Sequence, residues 1–128
     1  MMAWPKAGFS IESAPTLASY VANTSEFKNN IVQALALPYF SDQTNAAASM
    51  QTKAESEGNV TLATVADVKL TNPFTYTSPN LLPQVGSPAL AGTFVATTGA
   101  TATTYRGAFG TTDWTAGWVN WDPQNKTY

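Results

Sequence analysis

The chain has 128 residues, with eight acidic side chains against six basic ones, a formal net charge of −2, and neither cysteine nor histidine. That is the size of one domain, and the two absences exclude disulfides, thiolate nucleophiles, iron–sulfur clusters, thiolate zinc sites and any imidazole base or ligand. At 44% hydrophobic and 12% aromatic it can build a core although only 11% of it is charged. The scattered cations cannot neutralise a run of phosphates, which argues against nucleic acid and anionic membranes as partners.

Catalysis would have to rest on carboxylate, lysine, tyrosine or hydroxyl groups, and no two carboxylates stand at a telling spacing on one recognisable element. A non-enzymatic protein without a cofactor is the expectation. No apolar run approaches the roughly 20 residues that span a bilayer. Met1-Met2-Ala3-Trp4-Pro5-Lys6 does not open a secretory signal, so the chain reads as cytosolic, as a mature exported piece or as a fragment.

In chain order, Trp4, Pro5, Gly8 and Phe9 show no periodicity and suggest an irregular or extended arm whose aromatics dock elsewhere. Ser13 can cap a helix and Pro15 suits its first turn. Leu17, Tyr20, Val21, Phe27, Ile31, Leu35 and Leu37 then recur at three- and four-residue intervals. This predicts a helical stripe interrupted near Asn23-Thr24-Ser25, with Thr24 or Ser25 capping a second helix that Pro38 closes. The Ala-rich run from Asn45 to Glu55 predicts an exposed helix ending at Gly58.

After Gly58 the chain turns to threonine, valine, proline and glycine, and short strands joined by turns are expected. Val60, Leu62 and Thr64, then Val68 and Leu70, alternate as in half-buried strands. Prolines at 73, 79, 83 and 88 make the stretch from Asn72 to Pro88 extended or turning, with no central strand through it. Gly92 to Thr104 suggests an edge strand and a loose loop, and no internal repeat is apparent. The fold class expected is mixed α+β, with a helical N-terminal half (residues 1–58) followed by short strands and long Pro/Gly/Thr-rich loops (59–128), as one domain.

The second half carries ordered blocks: Val68-Lys69-Leu70-Thr71-Asn72-Pro73-Phe74, Pro79-Asn80-Leu81-Leu82-Pro83-Gln84, Gly86-Ser87-Pro88-Ala89-Leu90-Ala91-Gly92, Thr104-Tyr105-Arg106-Gly107-Ala108-Phe109-Gly110, Asp113-Trp114-Thr115-Ala116-Gly117-Trp118 and Trp121-Asp122-Pro123-Gln124-Asn125. Over about residues 59–128 this resembles the C-terminal region of large Bacteroidetes surface and secreted proteins thought to be right-handed parallel β-helices. The resemblance implies a β-helix end cap, a place at the cell surface or outer envelope, and no catalytic residue to carry over. A cap reading suits the pieces, because glycine supplies turns, proline stops pairing, and open stack ends need covering.

Tyr105, Arg106, Phe109, Trp114, Trp118 and Trp121 are the candidate binding residues. Flat rings beside polar groups are what sugar faces stack on. The bland alternative is that the tryptophans form the cap's own core, with Arg106 stacked on a ring or paired to Asp113. Asp113, Asp122, Asp67 and Asn72 are oxygen donors of the type calcium takes, without calcium-loop spacing, and read more simply as turn or cap residues. Asn23-Thr24-Ser25, Asn59-Val60-Thr61 and Asn125-Lys126-Thr127 match the glycosylation acceptor pattern, which matters only in a eukaryotic secretory setting. The functional expectation is a non-enzymatic structural or accessory protein that wraps or caps a larger protein partner in a bacterial surface assembly. The alternative is a carbohydrate-binding module using the tryptophans, and a hydrolase using Asp113 and Asp122 comes third.

Overall fold

A computed structural model describes residues 7–34, 36–92 and 98–127. Trp4, Pro5, Leu35 and the start of the expected 92–104 edge strand lie outside the described residues. The chain divides into two units, 1–65 and 66–128.

The first unit is built from β1 (Ala7–Ser10), α1 (Ala14–Val21), β2 (Ile31–Val32), β3 (Leu37–Phe40), α2 (Ala46–Ser56) and β4 (Val60–Thr61). The mixed α+β class holds, but the helical N-terminal half does not. The two helices span only 8 and 11 residues, and strands separate them. The stripe through Phe27, Ile31 and Leu37 belongs to strands and the turns before them. Asn23 and Asn29 take left-handed backbone conformations, φ 58° and 57°, which end any helix there. The β-branched pair Ile31-Val32 then suits a strand better than a helix. Neither Thr24 nor Ser25 begins a helix, and Pro38 lies inside β3.

Pairing is parallel and follows a fixed offset. In β1 and β3, Ala7 lies opposite Leu37 and Phe9 opposite Tyr39, thirty residues on. In β2 and β4, Ile31 lies opposite Val60 and Val32 opposite Thr61, twenty-nine residues on. The unit is therefore two successive β-α-β turns of chain laid side by side, an internal repeat that the sequence conceals. Few identities survive between the turns, and the match is one of backbone. Asn29 and Gly58, both left-handed, stand at equivalent places before Asn30-Ile31-Val32 and Asn59-Val60-Thr61. Among the described residues no β-helix is formed, since the repeat comprises two turns and gives two-stranded sheets.

The core explains why these turns stay together. Ile11, Tyr20, Ala46 and Met50 form one buried cluster, and Val32, Tyr39 and Ala54 a second, with Phe9 and Phe27 packed against both. Phe9 is the hinge of this packing, stacked on Phe27 with centroids 4.0 Å apart and edge-on to Tyr20 and Tyr39. Gly8 is required beside it, because a Cβ there would sit 2.7 Å from Val32 Cγ1 and 2.9 Å from the Pro38 carbonyl oxygen. Helix α2 is not simply an exposed helix. Ala46, Met50 and Ala54, four residues apart, form one buried face, and small residues let it settle closely on β3. Gly58, at φ 81°, stands beyond its end as expected.

The second unit contains β5 (Leu70–Asn72) and β6 (Asn80–Pro83), an antiparallel pair with an irregular register. Between Asn72 and Pro88 the prolines leave room for this pair and no central strand. Val65–Val68 forms a 3-10 turn where strand alternation was expected. A second such turn, Pro88–Leu90, is capped by Ser87, whose hydroxyl accepts from the Ala89 N–H and donates to the Val68 carbonyl. Val68, Ser87 and Ala89 are buried together at this point. Among the described residues, no helix is long and apolar enough to cross a membrane.

Candidate functional site

Residues 103–122 carry the six candidate binding side chains without a regular strand or helix. Two local devices set their geometry. Arg106 is the first: its guanidinium donates to the carbonyls of Pro88 and Ala91, and its own N–H donates to the Ala89 carbonyl at 2.8 Å. It ties the Tyr105-Arg106 segment to the Pro88–Leu90 turn, and Asp113 pairs with Thr115 in place of Arg106. Tyr105 lays its ring against Gly110, where an added Cβ would fall 2.8 Å from the ring.

Asp113 is the second device. Its carboxylate accepts from the Thr115 N–H at 2.9 Å and from the Thr115 hydroxyl, an arrangement in which the side chain imitates a backbone turn. The Thr115 hydroxyl, then its N–H, holds the carboxyl below the usual aspartate range. Thr115 is buried and its carbonyl accepts from Trp118 and Val119, closing one tight turn. Trp114 and Trp118, four residues apart, are thereby brought to the same side.

The rings form a pile. Phe109 stacks on Trp114 with centroids 5.6 Å apart and planes 22° apart, and Trp114 meets Trp118 at the same distance with planes tilted by 31°. The indole N–H groups are fixed, Trp114 donating to the Ala108 carbonyl at 2.9 Å and Trp118 to the Trp114 carbonyl at 2.7 Å. Yet the pile lies on the surface. Trp114, Trp118 and Trp121 are 52%, 67% and 40% exposed. The tryptophans are therefore not a buried core, because the turn that aligns them is too short to fold back over them.

The pile also fails as a flat three-ring platform. Trp114 is engaged by both Phe109 and Trp118, and Trp118, the most exposed of the three tryptophans, is the broad apolar surface on offer. Trp121 stands outside the stack. Phe74, Tyr76 and Val85 are further large apolar groups exposed in the same unit, none of them singled out from the sequence. The Asp-x-Thr spacing of Asp113 and Thr115 was the legible signal for the turn, and burial of Thr115 was not.

The remaining candidates have local duties. Asp122 accepts from the Asn125 side chain at 2.9 Å through both carboxylate oxygens, and Asn72 accepts from the Thr75 hydroxyl. Among the described residues no three His, Cys, Asp or Glu side chains gather as metal ligands. Asn59, one of the three glycosylation-pattern asparagines, is 5% exposed with its amide engaged by Phe27 and Ala54 carbonyls, which removes it as an acceptor. Comparison with protein-family models, with curated proteins and with solved structures found no match.

Proposed function

We propose that the chain is a non-enzymatic accessory protein of a bacterial cell-surface or envelope assembly, which docks on a larger protein partner through the aromatic pile of its second unit. The observation that supports this is the exposure of Trp114, Trp118 and Trp121, the first two on a turn that fixes their orientation. The Trp114 and Trp118 indole N–H groups are satisfied internally, so these two rings offer apolar area and little hydrogen bonding. Such area is stabilised by another apolar surface, and tryptophan is enriched where binding energy concentrates. Phe74, Tyr76 and Val85 widen the apolar area of the unit. The surface location rests on the resemblance of residues 59–128 to the ends of Bacteroidetes surface proteins.

The test is to isolate the protein gently from its source and to size it with its companions identified by mass spectrometry. Co-elution with one large envelope complex that the double variant Trp118→Ala, Trp121→Ala no longer enters, with an unchanged far-ultraviolet spectrum, supports the reading. A free monomer for both proteins overturns it.

A second reading, carbohydrate binding, is favoured by one observation: the outer face of Trp118, the most exposed of the three tryptophans, is open to stack on a sugar ring. The stacked arrangement reduces it from a three-ring platform to a site of Trp118 with Trp121. A glycan array read with the same double variant separates this from protein docking.

A further inference from the structure

The repeat in the first unit has a consequence for association. Parallel strands expose alternate N–H groups on opposite edges. In β4, the Val60 and Leu62 N–H groups donate to the Asn30 and Val32 carbonyls, at 2.9 Å each. Val32 thus turns its polar backbone towards β4, and Ile31 turns its own to the outer edge of β2. In β1, the Ile11 N–H donates to the Phe40 carbonyl at 3.1 Å, so the neighbouring Ser10 N–H faces away from β3. Ser10 is exposed and Ile31 half-buried.

Because the two turns are equivalent in backbone, their edges are complementary. The outer edge of β1 and β2 corresponds to the edge that β3 and β4 turn inward, and the outer edge of β3 and β4 to the one that β1 and β2 turn inward. The interface between the turns can therefore continue across molecules without new chemistry. The pressure to do so is physical: isolated two-stranded sheets are marginal in water, and stacked repeats need about three units for stability, whereas the described residues supply two.

We infer that the outer edge of β1 and β2 takes up the β3 and β4 edge of a second copy of this chain, head to tail, in the 29- and 30-residue register that already joins the two turns. Strand augmentation of this kind draws its affinity from main-chain hydrogen bonds. A head-to-tail contact is heterologous and does not close on itself, so growth continues past the dimer. These strands belong to the first unit and the aromatic pile to the second, and the inference does not depend on the docking reading.

The test uses the full chain without substitution. Sedimentation velocity from micromolar to millimolar concentration is expected to show a rising series of oligomers. Amide hydrogen exchange over the same range should slow at least roughly tenfold at Ser10 and Ile31, while Ile11 and Val60, bonded within the chain, stay protected throughout. Ser10→Pro, which removes an outward N–H on an edge strand, should abolish the series and leave the internal ladder protected. Ile31→Lys serves the same end should the proline variant fail to fold. A monomer at every concentration, a series that stops at the dimer, or association without slowed exchange at Ser10 and Ile31 would each overturn the inference.

Discussion

The carboxamide oxygen of Asn59 accepts both the backbone N–H of Asn30, at 2.8 Å, and its side-chain amide, at 3.0 Å. These residues occupy equivalent places in the two β-α-β turns, twenty-nine positions apart. The Asn59 amide in turn donates to the carbonyls of Phe27 and Ala54, so one buried side chain joins the end of α2, the turn before β2 and the entry to β4.

Replacing Asn59 by alanine leaves the Phe27 carbonyl and the Asn30 N–H without this partner in a part-buried site, while the Ala54 carbonyl keeps the Asn59 and Glu57 N–H groups. Buried groups left so cost more than the bonds contributed net. Asn59→Ala is expected to lower stability by about 3 kcal/mol, read as a shift in urea midpoint. Loss of less than about a third of that would mean that water replaces the amide.

Core and surface side chains should behave oppositely. Met50 is 1% exposed, and Met50→Ala should cost about 3 kcal/mol through lost burial and the cavity left. Trp118, 67% exposed, is expected to cost no more than about 1 kcal/mol as Trp118→Ala, despite its size. Equal losses for the two would place Trp118 in a core and remove the basis of the docking reading. Thermal and urea denaturation of both variants decide this.

Alkaline pH should weaken the first unit through Tyr20. Burial, and then its hydrogen bond to the Glu57 carboxylate at 2.9 Å, push the phenol well above its ordinary range. A folded pKa raised above the unfolded one gives stability that is whole below about pH 10 and lost as pH rises towards the folded value. Tyr20→Phe should flatten this alkaline loss while costing about 1 kcal/mol at neutral pH for the bond to Glu57. The pH dependence of the melting temperature from 8 to about 11, wild type against variant, checks both parts.

Acid should loosen the turn beneath the tryptophans. The Asp113 carboxyl is lowered by its bonds from Thr115, so the contribution is present above the unfolded aspartate value, near about pH 4, and is lost as pH falls through the folded one. Asp113→Asn should remove this step. Fluorescence of the tryptophans on acid titration is the readout, and an identical acid transition in the variant would assign it elsewhere.

The sequence by itself determined what is local. Ser13 and Pro15 placed the start of α1, the alanine run and Gly58 bounded α2, and the prolines from 73 to 88 kept a central strand out of that stretch. It also named every residue of the aromatic pile. Its errors were those of ambiguous periodicity: Phe27, Ile31 and Leu37 fit a helical stripe as well as they fit short strands and the turn before them, and left-handed conformations at Asn23 and Asn29 decided against the helix. Only the tertiary structure could reveal the repeated turn, because β-pairing is set by partners thirty residues away and leaves little trace when the paired residues differ, as Phe9 and Tyr39 or Val32 and Thr61 do. It alone decided the standing of the tryptophans too. A ring that packs on its neighbours and a ring that packs in a core have the same spacing, and exposure depends on what the rest of the chain leaves uncovered.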